Sequence, residues 1–241
     1  MHNTLYTHRR NLHAFLFLLL MLLPVALLFR NPQPASAAGF MASWPYKADR
    51  LESKQMVVVT AASARSQKGV LSLREKREGK WVTVLSGIPV TLGSGGIGKT
   101  KEGDKRTPSG VYPLGGAFGS AAGPDGLSIP YTRTGSYDYW IDDPSSAEYN
   151  QQVTYTGDPN RRWSSYERLL HPLYKYAIVL KYNEDPVVPG KGSAIFLHVW
   201  KGADQPTAGC IAMSEGNLLK LMKQLDASLS PAIAIGTADS A

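Results

Sequence analysis

The feature that most limits the fold of this chain is the rhythm of its apolar runs. They are short, rich in branched residues and repeatedly broken by glycine. Gln55 to Thr60 is a valine-rich run of strand length. Gly69 to Leu73 and Lys80 to Leu85 are two more, and the charged Arg74-Glu75-Lys76-Arg77-Glu78-Gly79 between them predicts a β-hairpin. Ile88 to Leu92 follows Gly87, with Pro89 marking an edge or an irregular start. Tyr176 to Tyr182, Ala194 to Leu197 and Pro231 to Ile235 complete the set. Only Met213 to Met222 has helical spacing, with Leu218, Leu221, Met222 and Leu225 on one face and Ser214 as its N-cap. Short strands with glycine punctuation predict a mainly β, sandwich-like or barrel-like body with a few short helices, rather than alternating β-α units.

The N-terminus reads as an address. Arg9 and Arg10 precede an apolar run from Ala14 to Phe29, and Ala35-Ser36-Ala37-Ala38 supplies small residues for cleavage, the pattern of a secretory signal peptide over 1–38. Pro24 inside the run, and its length against the ~20 residues that span hydrocarbon, argue against a retained anchor. The expected product is exported, to a periplasm or cell wall, with no stable membrane insertion after cleavage. A connecting arm, 39–54, then leads into one domain over 55–237.

Losing 1–38 removes three arginines (Arg9, Arg10, Arg30) and no acid, so the formal charge of +7 becomes +4, from 23 basic and 19 acidic residues. That modest surplus, with no long basic tract, gives no reason to expect nucleic acid as a partner. A single cysteine, Cys210, excludes an internal disulfide, so a hydrophobic core must hold the fold.

Gly93-Ser94-Gly95-Gly96-Ile97-Gly98-Lys99-Thr100 matches the phosphate-loop spacing formally. The polar Lys101 to Pro108 that follows cannot be the apolar helix such a loop caps, so nucleotide binding is not expected. Gly115 to Arg162 is long, aperiodic and aromatic, and connections of that kind are usually functional or packed as surface cover. Within it, Tyr139 and Trp140 are candidates either to line a substrate cleft or to pack in the core.

Chemistry concentrates further on. Ala194-Ile195-Phe196-Leu197 leads into His198 as a buried strand, and Thr207-Ala208-Gly209-Cys210-Ile211 follows. A lone cysteine is often just a small buried hydrophobe. Here it lies beside a glycine-kinked turn with an imidazole nearby in sequence, as a cysteine nucleophile requires. Thr207 would bond either the turn or a substrate. His171, followed by Pro172, reads as a packed or surface histidine, and with His198 it makes no metal ligand set.

These residues resemble the L,D-transpeptidase (YkuD-type) catalytic domain of bacterial cell-wall enzymes, as a divergent subgroup. His198, Thr207, Gly209, Cys210 and Ile211 match its His and Ser/Thr-His-Gly-Cys pattern, and Thr107-Pro108-Ser109-Gly110 looks like its Thr-Pro-x-Gly turn. Ala208 stands where the family usually has a second His, Ala212 where many members have Arg, and Val199 where Gly often follows the first His. The resemblance implies acyl transfer on peptidoglycan stem peptides without metal or cofactor. Cys210 would be the nucleophile, with His198 populating its thiolate near neutral pH, and Gly209 with Cys210 would supply oxyanion donors. A carboxypeptidase or cross-link hydrolase, and a wall-binding module without catalysis, are the competing readings.

Overall fold

The computed structural model describes residues 48–238, and the expected signal peptide and most of the arm lie outside them. Twelve strands dominate. Nine form one sheet in the order β12-β1-β2-β3-β11-β10-β9-β4-β5. These are β1 (Gln55–Ala61), β2 (Lys68–Arg77), β3 (Lys80–Thr91), β4 (Gly110–Gly119), β5 (Tyr131–Arg133), β9 (Ala177–Leu180), β10 (Phe196–Val199), β11 (Ile211–Met213) and β12 (Ala232–Thr237). β4 pairs with β9 through Leu114 to Phe118 and with β12 through Gly110 to Pro113, so the sheet curls back on itself. The result is the mainly β body that the apolar rhythm predicts.

Side-chain alternation explains the core. In β12, Ile233 and Ile235 face the interior cluster, where they meet Val57 and Val59 of β1 and Leu71 of β2. Ala232 and Ala234 face the other side, where Ala48 of the arm packs on them. Each interior isoleucine so buried contributes about 1.5–3 kcal/mol. Helix α1 (Glu215–Gln224) is capped by Ser214, whose hydroxyl accepts from Asn217 N–H, and it turns Leu218, Leu221 and Met222 into the same interior.

The hairpin forms with Glu78 and Gly79 at its turn, both at positive φ. The expected break at Gly87 does not occur. Lys80 to Leu85 and Ile88 to Thr91 belong to one strand, β3, because register shifts opposite Leu71 and Leu73 absorb the irregularity. Pro89 fits because β3 pairs with β11 only at Thr91, leaving that flank without a ladder to donate to.

The aromatic connection folds into a second, three-stranded sheet, β7-β6-β8, from β6 (Asp138–Ile141), β7 (Gln152–Thr154) and β8 (Tyr166–Arg168). Trp140 of β6 stands beside Glu167 of β8 in register and packs on Phe196 of β10, with ring centroids 4.9 Å apart. The small sheet therefore covers the outer face of β10.

Candidate active site

The site follows from strand parity. β10 and β11 run parallel, with Leu197 opposite Ile211 and His198 opposite Ala212. Leu197, Ile211 and Met213 face the interior core, so Phe196, His198, Cys210 and Ala212 project from the opposite face. They meet a second cluster there, with Phe118, Trp140, Leu169 and Tyr174. A cavity of about 240 Å³ opens on this face, and Cys210, His198, Ala208, Ala212, Tyr174 and Glu167 all line it.

The turn before Cys210 is fastened by threonines. Thr207 Oγ1 accepts from Gly209 N–H at 3.0 Å and donates to the Cys210 carbonyl at 2.7 Å. Thr107, fully buried, donates to the same carbonyl at 3.3 Å and accepts from Gly93 N–H at 2.8 Å. Gly209 sits at φ +148°, and a Cβ there would lie 3.0 Å from the Arg106 carbonyl oxygen, so this position needs glycine. Of the two expected oxyanion donors, Gly209 N–H is thus occupied by Thr207, which acts as the tie of the turn.

The thiol and the imidazole are both dry. Cys210 Sγ accepts from Phe196 N–H at 3.4 Å and donates to the Ala194 carbonyl at 3.3 Å. Asn150 holds Ala194, just ahead of β10, in place, its Oδ1 accepting from Ala194 N–H and from Trp140 Nε1. Burial pushes the Cys210 thiol up to about 12, and the nearby Glu167 charge adds to it. Burial likewise pulls His198 down to about 4, against its bond to Val199. Against the thiolate expected near neutral pH, burial of both groups favours a resting pair of neutral thiol and neutral imidazole. His198 Nδ1 lies 2.8 Å from the Val199 carbonyl. A carbonyl only accepts, so Nδ1 carries the hydrogen and Nε2 is left as the basic nitrogen.

Several residues that line the cavity had no signal in the sequence: Trp200, Lys201, Gln205, Glu167 and Tyr174. The Tyr174 hydroxyl donates to Glu167 Oε2, and the Tyr174 ring stands edge-on to His198 at 5.4 Å between centroids. Burial lifts the Glu167 carboxyl to about 7, opposed by that hydrogen bond. Trp140 and Tyr139 do not line the cavity. Trp140 supports Phe196 beneath it, and Tyr139 packs with Ile141 and Trp163 in a separate cluster under Arg168. His171 is exposed and caps the turn at Pro172 to Tyr174, its Nδ1 accepting from Leu173 N–H at 3.2 Å.

The phosphate-like loop has a structural task. Gly98 and Lys99 N–H groups donate to the Thr107 carbonyl, and the Lys99 ammonium is buried 3.0 Å from Asp104. Although burial opposes it, hydrogen bonds from Thr100, Arg106 and Lys99 hold Asp104 down to about 2. The loop's donors and its cation thus serve the turn behind Thr107.

Among the described residues, no helix is long and apolar enough to cross a membrane. No curated protein matches this chain. The crystal structure of the helical cell shape determining protein Pgp2 from Campylobacter jejuni is similar over 77% of this chain and 48% of that one, at 17% identity and a TM-score of 0.41. This chain accordingly spans about half the length of that protein. The family model for the YkuD L,D-transpeptidase catalytic domain matches residues 56–235. With three quarters of its length inside that match, the chain belongs to the YkuD family of L,D-transpeptidase catalytic domains.

Proposed function

We propose that this protein is an exported cysteine acyltransferase that forms or remodels peptidoglycan cross-links, with Cys210 as nucleophile and His198 as base. One observation carries the reading: both side chains project from the same face of two paired strands into one cavity. As Cys210 attacks the amide carbonyl after the L-centre of a diaminopimelate stem residue, its proton passes to His198 Nε2. The tetrahedral oxyanion is met by Cys210 N–H, and by Gly209 N–H once that group exchanges its bond to Thr207. His198 then protonates the departing D-alanine amine, leaving a thioester on Cys210. A neutral starting pair suits this order, since charge develops only once substrate fills the cavity. Attack by a second stem's side-chain amine would complete transfer, and attack by water would give a shortened stem instead. Export rests on the N-terminal pattern over 1–38, which N-terminal sequencing of the secreted protein would check.

The deciding experiment incubates the protein with tetrapeptide muropeptides and follows products and the intact protein by mass spectrometry. Cross-linked dimers with D-alanine release are expected, together with a carbapenem adduct mapped to Cys210. Tripeptide without dimer would replace transfer by hydrolysis. Absence of D-alanine release, dimer and adduct would sink the enzyme reading and leave a wall-binding module.

A further inference from the structure

Glu167 is the only carboxylate lining the Cys210 cavity, and among the described residues no ion pair holds it. Desolvating an acid without a cation is costly, and such groups cluster at functional sites. Its position is also particular. Register with Trp140 turns Glu167 toward β10, and the Tyr174 hydroxyl fixes its carboxylate. A second hollow, about 260 Å³, adjoins the first and is walled by Glu167, Tyr174, His171 and Arg168. Glu167 and Tyr174 thus stand at the junction of two cavities, one holding the nucleophile and the other leading away from it.

We propose that Glu167, positioned by Tyr174, is the acceptor subsite: it binds the ammonium group of the incoming amine and takes its first proton. This rests on the acyltransferase reading above. An alkyl amine with a pKa near ~10 is almost wholly ammonium at neutral pH and has no lone pair to attack a thioester. The cavity already carries one cation, the exposed Lys201 on its lining, and repels a second unless a counter-charge receives it. Glu167 supplies the charge, and its carboxyl, lifted by burial to about 7, exists in both forms near neutrality, as a proton carrier should.

The step balances as follows. The ammonium gives one proton to the Glu167 carboxylate and becomes a free amine. Its nitrogen attacks the thioester carbonyl, forming the C–N bond. His198 Nε2 takes the second proton, the C–S bond breaks, and that proton returns to Cys210 Sγ. Glu167 then releases its proton to solvent. Water as acceptor needs no such counter-charge, so Glu167 biases the enzyme toward amines.

The test is the partition of the thioester, read as the ratio of dimer to tripeptide, which does not depend on how fast the thioester forms. With tetrapeptide muropeptide as both donor and acceptor, Glu167→Gln is expected to lower that ratio roughly tenfold or more. Tyr174→Phe, which keeps the ring beside His198 but frees the carboxylate, should shift it less in the same direction. Thermal melting of both variants checks folding. An unchanged ratio in Glu167→Gln overturns the proposal, as does a wild type that acylates and releases only tripeptide. A wild type that never acylates overturns the underlying acyltransferase reading instead, so the two failures are told apart.

Discussion

Thr107 and Thr207 both donate a hydroxyl hydrogen to the carbonyl oxygen of Cys210, at 3.3 and 2.7 Å. One approaches from the loop after β3 and the other from the turn that carries the cysteine, so the backbone of the nucleophile is held from two directions. Thr107 is the costlier to lose. Thr107→Val leaves the Cys210 carbonyl one donor short and the Gly93 N–H without its acceptor, in a fully buried place. A loss of about 1–3 kcal/mol is expected in chemical denaturation, with slower carbapenem labelling of Cys210.

Gly209→Ala tests the same turn through its backbone. A methyl group there meets the Arg106 carbonyl at 3.0 Å and Ile195 Cδ1 at 3.3 Å at a φ that side chains rarely adopt. Strain of about 1–3 kcal/mol is expected, seen as a lower melting temperature together with slower acylation.

The pH dependence of acylation reports the dryness of His198. The reaction needs a neutral imidazole, and burial holds its proton uptake down to about 4 from an ordinary 6.5. Carbapenem labelling is therefore expected to persist through mildly acidic buffer and to fail only as the pH nears 4. A midpoint close to 6.5 would contradict the buried, neutral imidazole.

Glu167 makes an opposite contribution to stability. Burial raises its carboxyl from 4.5 to about 7, against the Tyr174 bond and with Asp142 and Glu102 adding to the rise. The folded protein thus keeps a proton that the unfolded chain gives up over that interval, and stability falls as pH rises through it. Glu167→Gln removes the penalty while keeping an oxygen for the Tyr174 hydroxyl. The variant should match wild type near pH 4.5 and be more stable above 7, by about 3 kcal/mol. His198 acts in the other direction below 6.5, but equally in both proteins. Melting curves in acidic and alkaline buffer decide the sign.

What the sequence made legible was whatever is local. The run before His198, the glycine before Cys210 and the spacing of Leu218, Leu221 and Met222 each announce themselves within a few residues, and the structure forms β10, the kinked turn and α1 from them. The break at Gly87 was misleading because a bulge is a property of two strands, and β2 supplies the other half. Glu167 and Tyr174 were silent for a related reason. β8 has three residues, too few to show a period, and Glu167 faces the cavity only because β6 pairs beside it with Trp140 in register. Thr107 could be noticed in its proline turn, but its contact with Cys210 arises where distant loops meet.

The seat of Cys210 Sγ, between the Phe196 N–H and the Ala194 carbonyl, also makes the protein chemically quiet. Oxidants and alkylating agents consume thiolates, and burial pushes this thiol toward its protonated form. In an oxidising surrounding the lone cysteine would endure as it is, and would become reactive only toward a molecule shaped to enter the cavity and hand its carbonyl to the sulfur.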